Sequence, residues 1–343
     1  MAVDPGRPSS RESAGSWSPF SMSERVRWAL EYAVVRLVAA VVGLWPRGIG
    51  SRAGHLLGNL AFLVDRRHRE VALANLEAAY PDADEAWRRR VARGSFRHLG
   101  RLLTEIVCQR PDVRRLLPTV TFEGWEWLQQ IEQAGKGYFL LSGHFGNWER
   151  VAHLQAALGH PLWMVTRPLD NPHLERYLAR LRESTGNRVV HKRNAVREVV
   201  RGLRQGKGIA FVIDQNFGEP GRHFVPFFGR PAATTPALGS LAARLRIPIL
   251  PVFGFPEPGG RYRIVYGPPI SLPDSGDREA DALEITQLAT ARIEEAVRAQ
   301  PEAWFWMHQR WRTQPEEEKE TGKRGDDEPA KQGEEAPPPP LIA

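Results

Sequence analysis

The stretch Gly137-Tyr-Phe-Leu-Leu-Ser-Gly-His-Phe-Gly-Asn-Trp-Glu-Arg150 reads as an apolar buried strand, a glycine-flanked turn and the opening of a helix. The chain around it repeats that alternation. Short apolar runs at Leu162–Thr166, Ile209–Ile213 and Ile249–Phe253 predict further buried strands, and Arg261–Tyr266 a last one. Helical spacing over Trp148–Ala157, His173–Thr185, Ala195–Gln205 and Glu279–Gln300 fills the intervals. This pattern predicts an α/β fold, a largely parallel central sheet flanked by helices, over residues 119–312.

Within the opening stretch, His144 and Glu149 are five residues apart. On one helix that spacing sets them about 140° apart, and on one strand it puts them on opposite faces. They can meet only if the chain turns between them, and Gly143 and Gly146 supply the freedom to turn. The turn would place His144 at the carboxyl end of a sheet strand, where open α/β folds bind ligands. Glu149 is expected to hold one ring nitrogen of His144 and leave the other to take a proton. No Ser or Cys stands in an activating motif beside them, so the substrate is expected to supply the attacking hydroxyl. A turn histidine beside a helix-end glutamate is the bland alternative for so short a motif. A metal site using His153 or His173 lacks any His-Glu-x-x-His frame, and no metal is expected.

Upstream lies Trp28-Ala-Leu-Glu-Tyr-Ala-Val-Val-Arg-Leu-Val-Ala-Ala-Val-Val-Gly-Leu-Trp45. Glu31 and Arg36 interrupt it, and the uncharged remainder Leu37–Trp45 would span about 13–14 Å as a helix, against about 30 Å of bilayer hydrocarbon. An interfacial helix fits better, with Arg25, Arg27 and Arg36 at headgroups and Trp28, Tyr32 and Trp45 at the boundary. Ser51–Val64 is a second apolar helix that would reinforce it, and a buried core helix is the competing reading. Residues 22–64 are thus expected to associate with a membrane. Two amphipathic helices, Asp65–Ala79 and Ala83–Cys108, should follow. Residues 1–21 read as a disordered leader without a secretory h-region, 22–312 as one domain, and 313–343 as a disordered, acidic, Pro-rich tail.

Composition narrows the function. The 343 residues carry 47 Lys+Arg against 40 Asp+Glu, and residues 314–343 hold nine acids and four bases. The tail is therefore −5 and the rest of the chain +12, which suits an anionic partner. Scattered arginines without a nucleic-acid motif argue against DNA or RNA. The single Cys108 excludes a disulfide framework and Cys-based metal cages. No P-loop or dinucleotide fingerprint follows a strand.

Gly143-His-Phe-Gly-Asn-Trp-Glu149 resembles the His-x4-Asp/Glu signature of the late (lauroyl/myristoyl) acyltransferases of lipid A biosynthesis, within the glycerolipid acyltransferase superfamily. Further blocks carry the resemblance in order across residues 22–312. Thr166-Arg-Pro-Leu-Asp-Asn-Pro-His-Leu174 is similar to the family's Arg-Pro-x-x-Asn-Pro segment, with Arg182 at its second arginine. Asp214-Gln-Asn216 resembles its Asp-Gln motif, and Val225-Pro-Phe-Phe-Gly-Arg-Pro-Ala-Ala-Thr-Thr-Pro236 its acceptor-binding block. Ile247–Phe253 resembles the next strand, and Trp304–Trp311 a closing helix.

The resemblance implies an O-acyltransferase that moves a fatty acyl chain from an acyl carrier protein thioester to a hydroxyl of a lipid A precursor. His144 would be the general base and Glu149 would orient it. Arg182 would hold an acceptor phosphate or the oxyanion, aimed by Asp214. Asn147, Arg167, Asn171, Gln215, Gly229, Arg230, Thr234 and Thr235 are the implied substrate-binding residues. Phe224, Phe227 and Phe228 suit an acyl channel or the core equally. No cofactor is implied beyond the thioester co-substrate. The implied partners are acidic acyl carrier protein, an anionic glycolipid acceptor and the cytoplasmic face of the inner membrane, reached as a peripheral or monotopic protein. Other acceptors (a phosphatidylinositol mannoside or a lysophospholipid), coenzyme A as donor carrier, thioester hydrolysis, and a silent lipid-binding scaffold remain the alternatives.

Overall fold

The computed structural model describes residues 21–43, 47–107, 113, 116–191 and 195–315. The expected leader, most of the tail, Trp45 and Cys108 lie outside the described residues.

Strands form where β-rich apolar runs can be covered on both faces, and the sheet uses each such run. In chain order they are β1 (Val120–Glu123), β2 (Tyr138–Ser142), β3 (Leu162–Thr166), β4 (Arg188–His191), β5 (Gly208–Val212), β6 (His223–Phe227), β7 (Arg230–Thr234), β8 (Ile249–Pro256) and β9 (Tyr262–Tyr266). Seven make one sheet in the order β1-β9-β8-β2-β5-β3-β4. Every neighbouring pair is parallel except β8 with β9, while β6 and β7 form a separate antiparallel hairpin. The sheet is mostly parallel, as the alternation predicts. β1, β4 and the hairpin, being short and partly exposed, carry too weak an apolar signal to be read from the sequence.

Helices α5 (Trp125–Gln133) and α6 (Trp148–Ala157) cover one face; α8 (Ala195–Arg204), α9 (Ala237–Leu245) and α10 (Arg278–Ala299) cover the other. β2 serves both: Tyr138 and Leu140 join the first core, Phe139 and Leu141 the second. That split is the two-residue period of a strand buried on both sides. α7 (Pro172–Glu183) links β3 to β4.

The N-terminal third is helical: α1 (Met22–Gly43), α2 (Arg47–Val64), α3 (Arg66–Ala79) and α4 (Glu85–Val107). α2 and α4 cross with their backbones in contact. A Cβ on Gly58 would stand 2.2 Å from the Phe96 carbonyl oxygen, and one on Gly100 2.2 Å from that of Gly54. Only glycine permits this approach, which brings α4 under α2 over several turns.

Among the described residues no helix is long and apolar enough to cross a membrane. The expected aromatic belt on α1 is corrected. Trp28 is buried, and its carbonyl accepts from the Asn171 amide at 3.0 Å. Tyr32 packs on His173 and Tyr177 of α7, with Arg36 over the Tyr177 ring. These aromatics dock α1 on the α/β unit, because α7 offers rings and a buried amide at matching spacing. The α1 and α2 surfaces left outward are aliphatic: Val26, Leu30, Val34, Leu37, Val38 and Val41 on α1, and Leu56, Leu57, Leu60, Leu63 and Val64 on α2. Their three- and four-residue spacing makes one stripe per helix.

Residues 304–311 are a second correction. They form turns after a short 3-10 segment, Pro301–Ala303, and no helix. Their N–H groups close short local turns, apart from Phe305 N–H, which donates to the His144 carbonyl, while the carbonyls of Trp304, Trp306 and His308 accept from the side chains of Ser95 and Asn75, so an α-helical ladder is forgone.

Candidate active site

β2 and β5 are parallel neighbours with Ser142 opposite Val212. Two residues past each paired end stand His144 and Asp214, so the register itself brings them together. The His144 Nδ1 and Asp214 Oδ1 atoms are 2.8 Å apart, and the His144 backbone N–H donates to Asp214 Oδ2 at 2.7 Å. Trp304 Nε1–H donates to the same Oδ2 at 2.7 Å. Burial alone would raise the Asp214 carboxyl, but His144 and these donors hold it at about 2. An anionic Asp214 fixes the tautomer with the proton on Nδ1, which leaves Nε2 as the acceptor nitrogen. The ring stands edge-on to Trp148 and near Phe305. A crevice beside it is lined by Leu99 and Leu102 of α4, Trp148 and Phe305.

The turn is strained in a way that only glycine accepts. Gly146 has φ of 57°, and a Cβ there would stand 1.7 Å from the Gly254 carbonyl oxygen. From α4, His98 Nε2 lies 3.0 Å from the Gly146 carbonyl oxygen, so it is the protonated nitrogen of that ring and donates. Burial lowers His98's proton affinity, in keeping with a neutral ring.

Glu149 does not hold His144. Arg182 Nε donates to Glu149 Oε2 at 3.0 Å, and its Nη2 donates to Oε1, a bidentate pair between the first turn of α6 and the last turn of α7. Burial opposes the Arg182 charge, but Glu149 more than offsets it and raises the guanidinium above its ordinary value. The expected pairing of the four residues is thus exchanged: Asp214 holds the His144 ring, and Glu149 holds Arg182. The reason is geometric, since α6 turns Glu149 away from the end of β2 toward α7, while β5 delivers Asp214 in register.

The implied binding residues separate into two groups. Asn147 is buried and both ends of its amide are used inside the protein: Oδ1 accepts from Arg150 N–H at 2.9 Å, and Nδ2 donates to Glu105 Oε2 at 2.8 Å. Asn171 caps α7 through Oδ1 and donates from Nδ2 to Trp28 O and Glu31 Oε2. Thr234 is fully buried, bonded to Ala232 O and to Arg310. These three therefore position backbone. Thr235 Oγ1 accepts from Ala237 N–H at 3.4 Å at the start of α9. Arg167, Gln215, Gly229 and Arg230 are exposed, the last two at the β6–β7 turn. Phe227 and Phe228 are core, packed on each other and on Trp304 and Trp306.

Sequence reasoning overlooked Glu105. Its largely buried carboxylate takes Arg101 Nε at 2.8 Å, the Tyr262 hydroxyl at 2.8 Å and Arg150 Nη2 at 3.3 Å, besides the Asn147 amide. Burial pushes it up, yet Arg150 and Arg101 bring it below the ordinary range. Glu105 ties α4 to the N-cap of α6. A glutamate on the apolar side of an amphipathic helix, four residues after Arg101, was the available signal.

Among the described residues no three His, Cys, Asp or Glu side chains converge as a metal site. The fold and site define a class: an α/β protein with a carboxylate-backed histidine at the carboxyl edge of a mostly parallel sheet, and a largely buried Glu–Arg pair between α6 and α7. The family profile described as bacterial lipid A biosynthesis acyltransferase matches residues 20–313, and the chain belongs to that family. It is an acyltransferase. The chain is 27% identical over 294 residues to the lipid A biosynthesis lauroyltransferase of Escherichia coli K12, covering 84% of this chain and 94% of the relative. It is 26% identical to that organism's palmitoleoyltransferase, over 80% of this chain and 90% of the relative. With a lipid A biosynthesis acyltransferase of Haemophilus influenzae it shares 24%, over 74% and 78%.

Proposed function

We propose that the protein transfers a fatty acyl chain from acyl carrier protein thioester to a hydroxyl of a lipid A precursor, with His144 as general base. The observation that carries this reading is the His144–Asp214 pair, held in register at the ends of β2 and β5. His144 Nε2 takes the acceptor's hydroxyl proton as its oxygen attacks the thioester carbonyl. The tetrahedral intermediate then collapses, the C–S bond breaks, and the imidazolium returns its proton to the departing thiolate. Ser142, the nearest hydroxyl in the sequence, is turned away and donates to Val252 O at 2.9 Å, which favours direct transfer over an acyl-enzyme. Arg182, pinned by Glu149, supplies positive charge for the oxyanion or an acceptor phosphate.

The test is a transfer assay in detergent micelles with labelled acyl carrier thioester, a panel of lipid acceptors, and mass spectrometry of the products. Wild type is expected to add one acyl mass to a lipid A precursor. His144→Ala is expected to fold normally and lose roughly 10²–10⁴-fold or more in rate. Wild-type turnover in that variant would remove the general-base role, and product on another lipid alone would replace the acceptor.

The aliphatic stripes of α1 and α2 support a place on an anionic membrane surface, lying in the interface rather than spanning it. Leu30→Asp with Leu37→Asp should weaken co-flotation with anionic vesicles by at least about tenfold, since a carboxylate at each site opposes burial in the acyl boundary. Unchanged flotation would place the membrane contact elsewhere.

A further inference from the structure

The segment Trp304–Thr313 has no regular structure, yet it is bonded to both turns that carry the His–Asp pair. Trp304 Nε1–H holds Asp214, and Phe305 N–H holds the His144 carbonyl at 3.1 Å. Arg310 Nη1 donates to the Gln215 carbonyl at 3.1 Å. His308 Nε2 accepts from the Asn216 N–H at 2.8 Å. Thr313 closes the series, its N–H donating to Asn216 Oδ1 at 3.1 Å and its Oγ1 accepting from Asn216 Nδ2 at 3.0 Å. Asp214, Gln215 and Asn216 are therefore each gripped by this strap. From the other side Asn75 Nδ2 of α3 donates to the carbonyls of Trp306 and His308, fixing the strap in turn.

Arg310 stands out within it. The side chain has no solvent exposure, and its Nε–H finds no acceptor. Besides Gln215 O it donates to Ala233 O at 2.7 Å and Thr234 Oγ1 at 2.6 Å, all neutral groups. Burial pushes it down to about 10, and the anion acting on it is Asp214, next in the chain to the carbonyl it binds. A buried guanidinium without a directly bonded carboxylate is costly, and an apolar side chain would fill the same space more cheaply. What an apolar side chain would not do is grip the Gln215 carbonyl or balance the buried Asp214 charge.

We propose that this strap belongs to the catalytic unit, with Arg310 the positioning residue through which it holds Asp214, and so the His144 ring, in line with the acceptor hydroxyl. The inference rests on His144 acting as general base. The test compares Arg310→Met and Arg310→Lys in the wild-type and Asp214→Asn backgrounds, by product mass spectrometry under saturating substrates and by thermal unfolding. Arg310→Met is expected to lower kcat about 10–100-fold with both KM values within about twofold, the cost of a misplaced base. Arg310→Lys should recover part of that loss. In the Asp214→Asn background Arg310→Met should cost less than about threefold, because its route runs through Asp214. Equal losses in both backgrounds, or a rise in KM at unchanged kcat, would overturn the proposal. Should Arg310→Met not yield folded protein, Thr234→Val removes one acceptor of the guanidinium and should lower kcat severalfold at unchanged KM; wild-type kcat there would overturn the proposal as well. Full turnover by Asp214→Asn alone would overturn it too, whereas wild-type turnover by His144→Ala would remove the general-base reading beneath it.

Discussion

Asp214→Asn is expected to fold and to lose about 10³–10⁴ in turnover, with little change in KM. The carboxylate accepts three hydrogen bonds: the His144 ring, the His144 N–H and the Trp304 indole. An Asn amide offers one acceptor oxygen in their place. Oriented to keep the two bonds at Oδ2, it presents its NH2 to His144 Nδ1 and forces the proton onto Nε2, the nitrogen that must accept from the substrate. The variant also loses the stability of a buried, stabilised anion. The folded value of about 2 lies below the ordinary 3.8, so ionised Asp214 adds about 2 kcal/mol above pH ~4, and this is lost as pH falls through about 2. Turnover within tenfold of wild type would show that Asp214 does not set the His144 tautomer.

The second large effect is expected at the Glu149–Arg182 pair. Arg182→Ala leaves the Glu149 carboxylate buried without its cation, at a cost of about 3–5 kcal/mol in stability, and removes the charge proposed to serve the oxyanion or an acceptor phosphate. Glu149→Gln should cost less stability, because a neutral amide still accepts one bond from the guanidinium, but it should lower kcat by freeing Arg182 to swing. Replacing both with Gln should restore much of the stability and none of the turnover. That separation, read by thermal unfolding beside the transfer assay, distinguishes a structural ion pair from one that serves chemistry. A double variant with near wild-type turnover would make the pair purely structural.

The α/β alternation was legible because each core strand is a short run buried on both faces and each covering helix keeps its own period. Boundaries at β2, β3 and α6 agree with the sequence reading. Elements whose burial depends on remote partners escaped it: the β6–β7 hairpin, edge strand β4, and the strap, where apolar and aromatic residues at 304–311 suggest a helix. Trp28 and Tyr32 were equally ambiguous, since an aromatic on an amphipathic helix suits a lipid boundary or a protein groove, and only α7 distinguishes the two.

By itself the sequence marked a histidine in a glycine turn at a strand end, an acid five residues on and no nucleophile in an activating motif, and the family resemblance added Arg182 and Asp214. It could not determine their partners. His144 and Glu149 are near in the chain but point apart, while His144 and Asp214 are seventy residues apart and touch. That contact follows from β5 being placed beside β2 in parallel register, a consequence of long-range packing with no local signal. The same holds for Glu105 and Arg310, whose buried charges are tolerable only because distant segments supply carbonyls, hydroxyls and opposite charge around them.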